Sequence, residues 1–347
     1  MPEITLQQLI DALLDETKVF PARYLHRLSD LAHEDAAAIE KTWPNISPRR
    51  RKALLEDLDQ LGEADNLLFF EELCRIALKD ELPAVRSLAI QILRTYETPH
   101  LIPIFLSMID KDSSADVRAA AAAAMGSFVY MGEIDEISNR TLRRIEECLL
   151  RVTNGSDEKL VRRRALEALG FSSRDEVPPL IEKAYAMKDT DWQITALFAM
   201  GRSADERWKP QVLARLEDDH PGVRAEAVGA AGDLELREAT KPLLKMLRED
   251  DDDVRAAAIW SLSQIGGERV AEALEALLEK TKDEDEAELL EDALDNLAFT
   301  EDMRNFALLD IPDDATDVDH NTDDEDDEDL VDTDEDWEEE QDEGNPA

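Results

Sequence analysis

Aromatic residues, cysteines, cations and long apolar runs are all scarce in this chain. Phe, Trp and Tyr make up 5% of its 347 residues, so a core must be built from Ala and Leu, which pack as helices more readily than as sheet. The two cysteines, Cys74 and Cys148, lie in helical apolar patterns without a C-x-x-C pair, and read as reduced core thiols. No apolar stretch reaches the roughly 18 residues of a membrane span. The first residues, MPEITLQQLIDALL, lack the basic run of a secretory signal, so a soluble, cytoplasmic protein is expected.

Lys and Arg number 39 against 83 Asp and Glu, a formal charge of −44. Of these acids, 21 fall between Asp310 and Ala347, where there is no Lys or Arg, which leaves an excess of 23 negative charges over the first 309 residues. Such a field repels phosphate backbones and anionic membranes and attracts basic partners, so direct binding to nucleic acid or membrane is not expected.

One phrase recurs: PAVRSLAIQIL from Pro83, ADVRAAAAAAMG from Ala115, KLVRRRALEALG from Lys159, TDWQITALFAMG from Thr190, PGVRAEAVGAAG from Pro221 and DDVRAAAIWSLS from Asp252. Its anchors, Val85, Val117, Val161, Trp192, Val223 and Val254, are spaced 32, 44, 31, 31 and 31 residues apart. The exception reads as one longer loop at residues 131–141. Apolar or small residues four and eight positions beyond each anchor line one helical face. Gly126, Gly170, Gly201 and Gly232, nine positions on, read as left-handed C-caps. A second amphipathic stretch separates the phrases, so the unit is helix, turn, helix. One such hairpin cannot bury its own apolar side, and neighbours must stack.

On these phrases the chain resembles HEAT-repeat proteins, specifically the short HEAT-like repeats of the phycobilin-lyase type with their D-x-x-V-R-x-x-A-x-x-A-L-G signature. The resemblance covers residues 67–298 and implies an all-α, right-handed superhelical solenoid of about seven hairpins. Gln193 departs from the Arg at the other phrases, and the period is shorter than the 40 to 47 or so residues of longer HEAT units. Residues 1–66, with a Ser47-Pro48 helix start, read as a divergent helical N-terminal cap, 67–299 as the solenoid and 300–347 as an acidic tail, disordered from Asp310.

The resemblance also implies that the Arg beside each anchor pairs with Asp of the preceding turns, Asp116 and Asp253 being candidates. It makes the second helices line the concave face. On a helical wheel the sixth residue after each anchor lies about 240° round, away from the buried arc. That row reads Gln91, Ala123, Glu167, Phe198, Gly229 and Trp260. Phe198 and Trp260, with Ile194 beside them and Gly229 and Ala225 between, suggest a cradle for an extended peptide of about six residues. The groove candidates are Gln91, Glu167, Ile194, Phe198, Arg202, Gly229, Trp260 and Gln264.

His26, His33, His100, His220 and His320 form no metal or general-base pattern, and no phosphate loop or nucleophile elbow occurs. Deoxyhypusine hydroxylases, HEAT-like enzymes, use several His-Glu dyads, whereas this chain has only His33-Glu34. No catalytic residue, cofactor or resident metal is therefore expected. Asp317, Asp319, Asn321, Asp323, Glu325 and Glu328 match EF-hand spacing, but Thr322 stands where the loop needs Gly. Two basic runs, Arg49 to Lys52 and Arg162 to Arg164, read as solvated helix faces. The rival reading has them hold the acidic tail, with Leu330 or Trp337 entering the groove.

The expected role is a non-enzymatic protein-binding scaffold or adaptor whose partner is basic or an extended peptide segment, the tail steering or occluding access. The alternative is an assembly or chaperone-like factor, or a lyase-like modifier of a chromoprotein.

Overall fold

The computed structural model describes residues 4–307, with side chains through residue 300. Every regular element among them is helical. An N-terminal group comprises α1 (Leu6–Leu14), α2 (His33–Thr42) and α3 (Pro48–Ala64). Seven hairpins follow: α4 (Glu71–Ala77) with α5 (Pro83–Leu93), α6 (Ile102–Lys111) with α7 (Ala115–Glu133), α8 (Asn139–Asn154) with α9 (Lys159–Ala168), and α10 (Val177–Tyr185) with α11 (Thr190–Arg202). The last three are α12 (Lys209–Leu213) with α13 (Pro221–Asp233), α14 (Thr240–Met246) with α15 (Asp252–Ile265), and α16 (Val270–Leu278) with α17 (Glu284–Ala307). Short 3-10 turns join several of them.

Local chemistry sets the starts of the second helices. Pro83 and Pro221 occupy the first turn, where their missing N–H costs nothing. The Asp189 and Asp251 carboxylates instead accept from free backbone N–H groups of α11 and α15. The anchors then enter the shared core: Val85, Val117, Val161, Val223 and Val254 are wholly buried and Trp192 nearly so. Cys74 and Cys148 are free, buried thiols.

The second helices form the tightly packed row. From α3 through α15 each lies against the next, whereas the first helices rest mainly on their own hairpin partners. Close spacing on one side and wide spacing on the other bends a stack toward the close side, so the second helices form its concave face.

The glycines explain that spacing, and they correct the C-cap expectation. Gly126, Gly170, Gly201 and Gly232 do not take up left-handed conformations, and helix or 3-10 turn runs through each. Each faces the residue seven positions beyond the next anchor. A Cβ on Gly126 would lie 3.6 Å from the Cα of Ala168, one on Gly170 3.0 Å from that of Ala199, and one on Gly201 3.0 Å from that of Ala230. On Gly232 it would meet the Cβ of Ser261 at 2.8 Å. At Gly170 and Gly201 a neighbouring backbone occupies the space of a side chain, at Gly232 the Ser261 and Gln264 side chains do, and at Gly126 the contact is an ordinary van der Waals one. The left-handed turns come later and use Glu97, Asp135, Ala204 and Glu235.

The longer spacing is not a longer loop. The extra residues extend α7 to 19 residues and α8 to 16, with only residues 134–138 between them. The repeat geometry also begins earlier than the recurring phrase. In α3, Arg51 stands where later repeats place their anchor-adjacent Arg, three residues after the helix-starting Pro48. Its Nη1 lies 3.2 Å from Asp80, which also accepts from Trp43 Nε1 at 2.7 Å. At the other end α17 continues to Ala307. The acid run, its EF-hand-like spacing, Leu330 and Trp337 lie outside the described residues.

Candidate interaction groove

The Arg row is structural, although its partners are not those expected. Arg86 binds Asp112 and Arg118 binds Asp157 through both arms of their guanidinium forks. Arg255 reaches Glu286 at 2.6 Å and Arg224 reaches Glu249 at 3.5 Å. Each acid belongs to the following repeat, Asp112, Asp157 and Glu249 in its turn and Glu286 in the first turn of α17. Asp116 and Asp253 hold none of these arginines. The preceding turn contributes backbone carbonyls instead: Asp80, Asp112, Asp218 and Glu249 each accept from the Arg six residues on, and Met187 accepts from Gln193. An amide can fill that last role, which accounts for Gln193.

The basic runs are solvated only in part: Arg49, Lys52 and Arg164 are exposed, and the others are engaged. Arg50 donates to the carbonyls of Asp15 and Lys18, and Arg51 is buried against Asp80. Arg162 donates to the Thr153 carbonyl and lies over the Trp192 ring at 5.5 Å. Arg163 donates to Thr195 Oγ1 at 2.8 Å.

Along the concave row the sixth-position residues take different environments. Trp260 is 42% exposed, Phe198 and Gly229 are half-buried, and a Cβ on Gly229 would meet nothing within 4 Å. Ile194 is half-buried against the core, and exposed Gln91 donates to Asp59 at 2.6 Å. Glu167 corrects the wheel: it is buried, not directed at solvent. The wheel treats a helix alone, and Thr195 on the adjacent α11 donates to Glu167 Oε1 at 2.7 Å while Arg164 covers Oε2 at 2.5 Å.

A concavity on this face lies N-terminal to Phe198. It encloses about 810 Å³, floored by Ala123, Gly126 and Ala168. Tyr130, Phe171, Phe198, Arg94, Arg164 and Arg202 form its sides. Tyr130 and Phe171 lie 5.4 Å apart, and the Arg202 guanidinium is 5.2 Å from the Phe171 ring and 5.0 Å from the Phe198 ring. Tyr130 and Phe171 were not among the expected groove residues. Their signal was their place thirteen and ten residues after an anchor, respectively, hidden by reading the glycine as the end of the helix.

Beyond Arg202 the groove turns acidic. Burial, with the charges of Glu167 and Asp233, pushes Glu226 up to about 7. Burial also raises Asp233, against the opposing effects of Arg202 and a hydrogen bond with Gln264. The histidines are not brought together: His33 begins α2, His100 pairs with Glu71 at 2.6 Å, and His220 precedes α13. His320 lies outside the described residues.

Several solved structures are similar to this chain. YibA of Escherichia coli is 18% identical, with 82% of this chain and 98% of that one covered and a TM-score of 0.41. The CpcE–CpcF phycocyanin lyase complex of Nostoc sp. PCC7120 is 20% identical over 65% of this chain and 94% of that one, with a TM-score of 0.44. Importin beta is 13% identical over 85% of this chain and 44% of its own, with a TM-score of 0.40. No curated protein matches the sequence. The HEAT-repeat family matches residues 47–126, 70–151, 177–255 and 210–295, which together span well over half of the sequence. With its stacked hairpins and periodic anchors, the chain belongs to the HEAT-repeat family.

Proposed function

We propose that the protein is a non-enzymatic scaffold or adaptor that holds an extended stretch of a polypeptide partner along its concave row. The observation that supports this most is the aromatic lining left uncovered there: Phe171 and Phe198 with Arg202 between them, and Trp260 exposed two repeats on. Aromatic and Arg side chains give large contact area at low entropic cost, which is why they dominate interface energetics. The acidic balance of the chain draws basic partners at long range, whatever segment finally occupies the groove. No helix among the described residues is long and apolar enough to cross a membrane.

Affinity purification with the full chain and with the Phe198→Ala/Trp260→Ala variant tests this. Partners retained by the first should be lost by the second while its helical content is unchanged. An identical partner set would defeat the reading. A coloured tetrapyrrole travelling with the protein would favour the chromoprotein modifier instead.

A further inference from the structure

We infer that the cavity between α5, α7, α9 and α11 recognises an acidic side chain flanked by an apolar one, within the extended segment the scaffold binds; the inference rests on the groove reading above. Across the chain acids outnumber cations by 44, yet this cavity carries Arg94, Arg164 and Arg202 against Glu97 and Glu167. Glu167 is already satisfied. Its two oxygens accept from Thr195 and Arg164, so this pair offers no free charge to a ligand. Arg94 and Arg202 remain as exposed guanidinium groups that hold no carboxylate in an ion pair among the described residues.

Arg202 is also preoriented. Its guanidinium lies over Phe171 on one hand and Phe198 on the other, which restricts the side chain and leaves its N–H edge open to a carboxylate fork. The same rings, with Tyr130, supply an apolar wall beside that edge. The acids nearest to Arg202 are Glu226 and Asp233, both raised by burial; neither is ion-paired to Arg202 among the described residues, and Asp233 shares its hydrogen bonding with Gln264. More distant acids are screened beyond about 8 Å at physiological salt, so the local sign decides what is seated. A basic segment would meet Arg202 and Arg94 head-on and have no free carboxylate here but Glu97.

Selection of random octapeptides on the full-length protein tests the inference. Peptides with Asp or Glu beside Leu, Phe, Tyr or Trp should be enriched. A synthetic selected peptide should bind about tenfold more weakly after its acid is changed to the amide, or after Arg202→Ala. Arg202→Lys, which keeps the charge and loses the fork, should recover only part of the loss. Arg202 is exposed, so circular dichroism should confirm that both of its variants fold. If the selected peptides bind regardless of their acid and of Arg202, or are rich in Lys and Arg, the inference fails. Should those same peptides be lost with Phe198→Ala, the groove reading survives alone. If no peptide is retained at any concentration, both fall.

Discussion

Arg118 grips Asp157, 39 residues further along the chain, through both arms of its guanidinium: Nε lies 2.9 Å from Oδ2 and Nη2 lies 2.6 Å from Oδ1. The bond crosses from one hairpin to the next, and a third nitrogen, Nη1, donates to the Asp112 carbonyl at 2.9 Å. The same device recurs from Arg51 to Arg255. It staples the stack on the edge where these second helices begin, and is missing at Arg162, which holds the Thr153 carbonyl, and at Gln193, which holds that of Met187.

Removing the Arg strands its acid. Arg118→Ala should lower unfolding free energy by about 2 kcal/mol, because the Asp157 pair is charge-assisted and only partly exposed. Arg51→Ala should cost more, about 3–5 kcal/mol, since Asp80 is fully buried and keeps only Trp43 and backbone donors. Urea denaturation of both variants measures the difference. Equal losses would mean that burial of the acid does not govern the cost.

Two glycines three residues apart should answer oppositely to alanine. Gly232→Ala would press a Cβ against Ser261 and should destabilise by about 1–3 kcal/mol. Gly229→Ala meets open space in the middle of α13 and should stabilise by roughly 0.5–1 kcal/mol. Ala204→Gly should also stabilise, by about 1 kcal/mol, because Ala204 sits at φ 49°. Thermal melts of the three variants check the signs.

A long side chain at Gly229 should close the path between Phe198 and Trp260 without unfolding the helix. Gly229→Arg is expected to leave the melting temperature within a few degrees while reducing recovery of groove-bound partners. Recovery equal to the unsubstituted protein would place the partner elsewhere.

Stability should pass through a maximum on the acid side of neutrality. Asp157 is held below the usual carboxylate range, first by its hydrogen bond to Arg118, and Glu286 by its bonds to Thr281 and Arg255. These depressed groups contribute stability that is present above the unfolded carboxylate pKa of about 4 and lost as pH falls through the folded values. Glu226 behaves in the opposite sense. Raised to about 7 by burial, its contribution is complete below the unfolded value and is lost as pH rises through 7. Glu226→Gln should therefore stabilise the protein at pH 8 by about 1–3 kcal/mol and have little effect at pH 5. Denaturation midpoints at the two pH values provide the measurement.

Much of the architecture was legible because its signal is local. Val85, Val117, Val161, Trp192, Val223 and Val254 mark buried helix faces by spacing alone, and the seven hairpins follow from the second amphipathic stretch between them. The first repeat was harder to see. Arg50 stands where the apolar anchor would be and is spent on the carbonyls of Asp15 and Lys18. On the concave row Trp260 is exposed and Phe198 and Gly229 are half-buried, whereas the wheel placed the buried Glu167 in solvent and stopped short of Phe171 and Tyr130. It read each helix by itself, and the glycine looked like an end when it was a contact.

The sequence by itself determined the period, the helical class and the buried face of each hairpin, because burial in an amphipathic helix depends on residues three and four apart. Only the tertiary structure decided which acid each Arg holds, why the glycines recur and where the concave face turns cationic. Those relations join residues a whole repeat apart, and their geometry is set by how closely one backbone can approach the next.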